Sequence, residues 1–469
     1  MTEGLASATE SLCPVCLRRI PARREMEGDD AYLVRTCPEH GTFRTRFWHG
    51  PPGLLGWGRE KTPGTPPPTQ TSVAQGCPFD CGLCPDHAQH TCTAVFEVTG
   101  RCNLGCPICF ASSGEGAGPD PDLDALDWRF RQAFQATGPA NVQISGGEPT
   151  VRDDLPRIVT LARRAGYNFI QVNTNGLALA EQPDLAKKLA DAGTDSVFLQ
   201  FDGVDDTAHR MLRGRELTAV KLTAIDRLAA ARIGVVLVPT VVAGVNLDQV
   251  GDILRLAISR APAVRGVHFQ PVGSFGRYPW DDGQTARVTL PELMTALETQ
   301  TGGMVQTQDF HPPCCEHSLC SFSASFTLDG KGGLGPVWTG PSSCCTPPSA
   351  SPLARPQESD AHHAPIPADE GARQSKSFVA RQWGPAPEPD IDLAPKANPL
   401  ADDFTRFLER ASVSRRFSIS AMGFQDIWTL DLERAKGCCI HIVDEKARLI
   451  PFCIYNLTAP DGRTLYRGR

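Results

Sequence analysis

The sequence predicts an α/β fold: a partial (β/α)6 barrel with an N-terminal metal-ribbon module and a C-terminal auxiliary domain rich in cysteine. Three observations predict it. Between residues 93 and 285, six β-rich apolar runs alternate with helical segments, the pattern of a parallel sheet. The first 50 residues place Cys13, Cys16, Cys37 and His40 around too little apolar sequence for a self-sufficient core, so a metal is the expected staple. Beyond residue 286 the alternation ends, and cysteines recur at Cys314-Cys315, Cys320, Cys438-Cys439 and Cys453.

In chain order, 1–50 is a Cys-rich mononuclear metal module. Cys13-x2-Cys16 and Cys37-x2-His40 flank a charged stretch with a predicted strand over Ala31–Arg35, and this spacing suits a zinc ribbon or a single rubredoxin-like iron. Residues 51–76, rich in Pro, Gly and Thr, predict a linker. Residues 77–92 form an auxiliary Fe–S loop, with Cys77, Cys81 and Cys84 as a Cys-x3-Cys-x2-Cys triad and Cys92 as candidate fourth ligand. The barrel occupies 93–285. Its predicted strands are Ala94–Val98, Val142–Ile144, Phe169–Asn173, Ser196–Phe201, Val235–Val241 and Gly266–Gln270. Helices such as Arg152–Ala165, Leu185–Ala192 and Leu217–Ala231 lie between them. Six units are too few to close an eight-stranded barrel, so the barrel is expected to be open. Residues 286–340 and 401–469 form the auxiliary cluster domain, with a helix near Asp402–Arg410 and strands around Phe417–Ser420, Cys439–Val443 and Leu449–Phe452. The intervening 341–400, Pro-rich from Pro341 onward, predicts an irregular connector.

The chemistry gathers where parallel barrels keep it, at the C-terminal ends of the strands. After the first strand comes a second triad, Cys102, Cys106 and Cys109; after the second comes Ser145-Gly146-Gly147-Glu148-Pro149. Three thiolates on one short loop hold three irons of a [4Fe–4S] cluster and leave the fourth iron open for a ligand. Zinc would want a fourth nearby ligand, and none follows before Gly114. The backbone acceptors of Gly146 and Gly147 and the Glu148 carboxylate suit an ammonium ion. Asn173 and Asn175 at the third strand end, and Gln200 and Asp202 at the fourth, offer short polar side chains for a ribose or substrate; taken alone, Asn-Gly and Asp-Gly are ordinary turns. Cys315, Cys320, Cys453 and one of Cys438 or Cys439 are expected to close a further cluster, the other member of the pair being a spare buried cysteine. Cys344-Cys345 receives no role.

The triad followed by Gly-Gly-Glu-Pro resembles the radical S-adenosylmethionine (SAM) superfamily. That resemblance implies a partial (β/α)6 radical SAM barrel with a C-terminal auxiliary Fe–S domain. It also implies that the amino and carboxylate groups of SAM sit on the open iron of the cluster held by Cys102, Cys106 and Cys109, with Gly146, Gly147 and Glu148 lining the amino group. Longer segments are more specific: Gly76-Cys-Pro-Phe-Asp-Cys-Gly-Leu-Cys-Pro-Asp-His-Ala-Gln-His-Thr-Cys92, Leu199-Gln-Phe-Asp-Gly203, Phe269-Gln-Pro-Val272 with Gly276-Arg277, and Cys438-Cys-Ile-His441 with Pro451-Phe-Cys-Ile-Tyr-Asn456. They resemble the tetraether lipid synthase and pterin methyltransferase group, over about 11–340 and 400–456. The group implies three [4Fe–4S] clusters, one SAM-binding and two auxiliary, and one mononuclear Fe or Zn. Residues 341–400 depart from its pattern.

The chain has 469 residues, 41% hydrophobic and 21% charged, with net charge −7. That composition fits a globular protein, and the charge argues against a nucleic-acid partner. Eighteen cysteines without a secretory signal favour metal ligation over disulfides and a cytoplasmic location, or one peripheral to the membrane. No apolar run reaches membrane-spanning length. The expected function is reductive cleavage of SAM to a 5′-deoxyadenosyl radical and hydrogen abstraction from an unactivated carbon, for C–C bond formation on a lipid. Methyl transfer to a pterin-like heterocycle is the alternative enzyme reading, and an Fe–S electron carrier the non-enzyme one. Expected partners are a lipid or small-molecule substrate and an electron donor such as ferredoxin or flavodoxin.

Overall fold

Apolar runs that alternate with helices need cover on both sheet faces, and the computed structural model shows how they obtain it. It describes residues 7–114, 116–279, 286–329, 333–337, 365–386 and 416–468. Six parallel strands pair in chain order: Thr93–Glu97, Asn141–Ser145, Ile170–Thr174, Ser196–Gln200, Gly234–Val238 and Val264–Pro271. The fifth, Gly-Val-Val-Leu-Val, is buried at every position, as a strand covered on both faces must be. The helix Leu155–Arg164 turns Leu155, Ile158, Val159 and Ala162 onto the sheet, the i, i+3, i+4, i+7 stripe of an amphipathic helix. Burying each Leu or Ile side chain of this kind contributes about 1.5–3 kcal/mol.

The ribbon forms a separate four-stranded antiparallel sheet, Ser7–Leu12, Arg19–Glu27, Asp30–Cys37 and Gly41–His49, in chain order. It docks on the C-terminal segment. Arg24 Nε donates to Asp431 Oδ2 at 2.7 Å, Arg35 Nη2 to the Ile427 carbonyl at 2.9 Å, and Ser11 Oγ to the Leu430 carbonyl at 2.6 Å.

An open sheet leaves two edges of unpaired backbone groups, and strands from beyond the barrel take both. Arg416–Met422 pairs parallel with the sixth barrel strand, and Ser321–Leu328 pairs antiparallel with Arg416–Met422. On the opposite edge Ile440–Val443 pairs parallel with the first strand, and Leu449–Pro451 pairs antiparallel with Ile440–Val443. The C-terminal strands therefore share the barrel's sheet.

Two differences from the sequence reading concern the linkers. Inside the stretch read as an irregular connector, Ala368–Trp383 forms a 16-residue helix. Pro367 stands at its N-cap, and Asp369 and Glu370 occupy the first turn, where carboxylates meet the positive end of the helix dipole. The prolines that suggested disorder flank the helix. The 51–76 linker contributes Lys61–Thr62, paired with Ile366–Pro367, and Trp57, whose Nε1 donates to the Ser318 carbonyl at 2.9 Å. The helix expected near Asp402–Arg410 and the pair Cys344-Cys345 lie outside the described residues. No helix among the described residues is long and apolar enough to cross a membrane.

Candidate active site and metal centres

The loop carrying Cys102, Cys106 and Cys109 leaves the end of the first strand and is pinned from three directions. Asn175, at the end of the third strand, donates Nδ2 to Asn103 Oδ1 at 2.7 Å. Cys109 exchanges backbone hydrogen bonds with Arg277, at 2.9 and 3.0 Å, and Arg277 Nε donates to the Cys106 carbonyl at 2.6 Å. Arg213 Nη1 reaches the Ile108 carbonyl at 3.3 Å. In the free chain, burial pushes the Cys102 thiol up to about 11, with the charges of Glu148, Cys106 and Cys109 adding to it. Burial likewise raises Cys106, against the pull of the Arg213 charge. Such thiols hold their protons until a metal displaces them.

Gly146 and Gly147 run directly beneath this loop. Gly146 has φ +132°, and a Cβ on it would stand 2.3 Å from the Thr99 carbonyl oxygen; one on Gly147 would stand 2.2 Å from the Arg101 carbonyl oxygen. Gly147 N donates to Thr99 O at 2.8 Å and Glu148 N to Arg101 O at 2.9 Å. Glu148 is 2% exposed. Its Oε1 accepts from Thr150 N at 3.1 Å, Thr150 Oγ1 at 2.6 Å and Thr174 Oγ1 at 2.7 Å, and its Oε2 from Asn175 N at 2.6 Å. Its carboxylate thus ties the second strand end to the third, with acceptor capacity left on Oε2.

Asn173 Nδ2 lies 3.4 Å from Gln143 Oε1, and its Oδ1 is buried with no hydrogen-bond partner among the described residues, which marks a place for a ligand donor. Gln200 and Asp202 belong to a buried ionic cluster. Asp202 accepts from Arg213 Nε at 2.7 Å, Arg213 Nη2 at 2.9 Å and Thr240 N at 3.0 Å, and also from Gln200. Burial works against its charge, but Arg213 holds its carboxyl below the usual range. Lys221, fully buried, donates to Gln200 Oε1 at 2.8 Å and to the Asn175 carbonyl; burial pushes its ammonium down to about 7. Arg213 and Lys221 escape sequence reasoning: each is a cation in a helix, and only burial distinguishes it from a surface charge. Arg277, noted in the sequence beside Gly276, is exposed and reaches the triad loop through its backbone and guanidinium.

Twelve of the described cysteines outside this centre form four groups. Cys13, Cys16, Cys37 and His40 bring their ligand atoms within 4.8 Å of one another. His40 Nδ1 is 3.6 Å from Cys13 Sγ and 3.4 Å from Cys37 Sγ. It is also the largest influence holding the Cys37 thiol down to about 6. This compact set of three thiols and an imidazole fits one tetrahedral ion. Cys77, Cys81 and Cys84 line a small cavity closed by Asp86, His87, Ala435, Lys436 and Pro451.

Cys92, expected to complete that triad, is placed elsewhere. It stands with Cys315 and Cys439, the three sulfurs within 4.8 Å of one another. Cys320, Cys438 and Cys453 make the last group: burial and then the neighbouring Cys320 charge push Cys438 up to about 12, and burial, Cys438 and Cys320 raise Cys453. Arg434 Nη2 lies 3.4 Å from Cys320 Sγ, and the Gln425 amide donates to Cys453 Sγ at 3.2 Å. Cys438 and Cys439 therefore face different groups, and Cys315 and Cys320 are parted. These thiol groups fit two auxiliary clusters and a mononuclear metal beside the SAM-binding cluster.

Family models and sequence relatives agree. The Radical SAM superfamily model matches residues 96–257, and the HMPTM N-terminal zinc ribbon domain matches residues 5–49. A 7,8-dihydro-6-hydroxymethylpterin dimethyltransferase of Methanocaldococcus jannaschii is 34% identical, the alignment covering 96% of this chain and 93% of that one. GTP 3',8-cyclases of Staphylococcus aureus are 29% identical over 43% of this chain and 60% of theirs. Among solved structures, Streptococcus suis SuiB bound to precursor peptide SuiA has a TM-score of 0.38 at 16% identity, covering 46% of this chain and 48% of SuiB. The barrel, the triad and the Gly-Gly-Glu-Pro turn define a radical SAM enzyme. Within that superfamily the chain belongs to the family of the M. jannaschii dimethyltransferase, from its zinc ribbon to its C-terminal strands.

Proposed function

We propose that this enzyme transfers methyl groups to a pterin-like heterocycle. The observation that carries the reading is the end-to-end relationship to a pterin dimethyltransferase, which includes the ribbon and the C-terminal cysteines as well as the barrel. The lipid coupling expected from the sequence is without support, and the relative's name favours the alternative, methyl transfer to a pterin.

In this reading Cys102, Cys106 and Cys109 hold the cluster. Gly146 and Gly147 form the cradle under the methionine end of SAM, kept free of side chains because a Cβ on either would strike Thr99 or Arg101. When bound, the cluster and SAM supply reductive cleavage of a carbon–sulfur bond at an open iron. Glu148 fixes the relative position of the cradle and Asn175, and Asn175 in turn holds Asn103 inside the triad loop. The unpartnered Asn173 Oδ1 accepts a hydrogen bond from SAM or substrate. Gln200 and Asp202 act through Lys221 and Arg213, which they hold against the triad side of the barrel. A low-potential donor such as ferredoxin or flavodoxin supplies the electron.

The test is anaerobic turnover of the cluster-replete chain with methyl-labelled SAM, a reductant and 7,8-dihydro-6-hydroxymethylpterin, read by mass spectrometry. A methylated pterin is expected, with S-adenosylhomocysteine beside 5′-deoxyadenosine. Turnover of SAM with the pterin unmodified, and coupled lipid formed from an added lipid extract, would return the assignment to carbon–carbon coupling.

A further inference from the structure

Building on the pterin reading above, we propose that the helix Ala368–Trp383 is the floor of a substrate chamber inside the barrel, and that Trp383 is a specificity-determining residue that limits the chamber to a small heterocycle.

The two faces of the sheet establish where the helix lies. Adjacent residues of a strand point to opposite faces. Val197, Leu199, Val235 and Leu237 join the core that contains Leu155 and Ile158 of an outer helix. The alternate residues Phe198, Val236 and Val238 pack with Trp383 instead. The Trp383 ring lies 4.9 Å from Phe198 and 5.7 Å from His268, on the sixth strand. Its Nε1 donates to Ser418 Oγ at 3.0 Å, in the strand that covers the sixth. Asn141, on the second strand, donates to the Lys376 carbonyl at 3.4 Å. One helix therefore meets the inner face of strands from the second to the far edge, which places it within the curve of the sheet.

It lies at the mouth opposite the triad, because its contacts fall where the strands begin. Ala372 packs with Cys92, just before the first strand. Asn141 is the first residue of the second strand, and Phe169, which packs with Trp383, directly precedes the third. A Cβ on Gly234, the first residue of the fifth, would stand 2.2 Å from the Trp383 carbonyl oxygen. Glycine opens this strand because the helix end comes against it.

Above the floor the barrel is polar and accessible. Gln143, Asn173, Gln200 and Gln270 are each partly exposed, and every other residue of their four strands is buried. They share the inward side with Asn141, Phe198 and His268: Gln143, Gln200 and Gln270 stand two residues beyond these, and Asn173 pairs opposite Phe198. Carboxamides both donate and accept, which suits the amino, oxo and ring-nitrogen edge of a pterin. A long aliphatic chain would leave such groups unpaired. The distance from the Phe198 level to Gln200 at the strand end is about 7 Å, room for a ring system stopped by Trp383 and not for an extended chain.

The test is equilibrium binding to the cluster-replete, SAM-bound protein of two ligands: 7,8-dihydro-6-hydroxymethylpterin, and the same pterin with a butyl group on its 2-amino nitrogen, the end away from the hydroxymethyl carbon. Trp383→Ala is expected to lower the ratio of the two affinities, plain over butylated, tenfold or more, with SAM affinity within twofold of wild type. Trp383→Phe keeps an aromatic floor and is expected to keep the wild-type ratio. A merely structural Trp383 would weaken both pterins and SAM together at an unchanged ratio, and that result would overturn the proposal. Where the alanine variant fails to fold, hydrogen–deuterium exchange on wild type decides. Adding the pterin is expected to slow exchange at 379–384, and unaltered exchange there with pterin bound would overturn the floor. Wild type that binds SAM but no pterin would overturn the pterin reading itself and the floor with it, whereas bound pterin with an unchanged ratio would overturn the floor alone.

Discussion

Asp202 is the residue whose loss has the most clearly worked cost. It is fully buried and takes two hydrogen bonds from Arg213, one from the Thr240 amide and one from Gln200. Arg213 is 9% exposed and extends past Asp202 to Thr240 Oγ1, at 2.7 Å, and to the Ile108 carbonyl in the triad loop. In Asp202→Asn the shape is kept but the charge is removed, and the new amide N–H groups face donors. Breaking a buried pair from one side costs about 3–5 kcal/mol, because the surviving charge is left uncompensated. The effect is read by hydrogen–deuterium exchange at Thr240–Asn246, whose protection depends on this cluster. At about 1.4 kcal/mol per decade, exchange there is expected to accelerate by about two to nearly four orders of magnitude. The double variant Asp202→Asn with Arg213→Met removes both partners and is expected to recover much of the protection, since apolar replacement of a buried pair is often neutral. If the single variant exchanged within threefold of wild type, or the double variant were worse than the single, Arg213 would have another counter-charge, and the pairing argued here would fail.

Two further outcomes follow from single side chains. Gly147→Ala places a methyl group 2.2 Å from the Arg101 carbonyl oxygen; overpacking of this kind costs about 1–3 kcal/mol, so SAM affinity by calorimetric titration is expected to fall about tenfold or more, and unchanged affinity would remove this turn from the SAM site. His268, buried between Phe198 and Trp383, has its imidazole pushed down to about 4 by burial, against an ordinary value of 6.5. The unfolded chain takes that proton first as pH falls, so the stability is complete above about 6.5 and is lost progressively down to about 4, some ~3 kcal/mol in all. His268→Leu is expected to flatten the acid limb of a stability-against-pH curve in that window, and an unaltered slope would show that this histidine does not carry the acid sensitivity.

What the sequence made legible is what it holds locally. The six barrel strands stand out because each is a short apolar run between helical periods, and Cys102, Cys106 and Cys109 stand out because all three ligands fall on one loop. The helix Ala368–Trp383 was hidden because prolines crowd its flanks and its buried face is small, made largely of Ala368, Gly371, Ala372 and Trp383. The partners of Arg213 and Lys221 were hidden because nothing in a helical pattern distinguishes a buried cation from an exposed one. The company Cys92 keeps was hidden for a different reason: spacing ranks it with Cys84, eight residues away, whereas sheet pairing ranks it with Cys439.

That last case accounts for the layout of the auxiliary cysteines as a whole. A six-stranded open barrel offers two edges, and the C-terminal strands take both. The strand that covers the first edge is preceded by Cys438-Cys439, and the Cys92 amide donates to the Cys439 carbonyl at 2.8 Å. Cys439 therefore turns toward Cys92 and Cys315, and Cys438 toward Cys320 and Cys453. The two members of the pair thus stand with different cysteine groups. A one-residue slip of Ile440–Val443 against Thr93–Glu97 would carry both cysteines away from these neighbours. The register of this edge strand thus positions both cysteines.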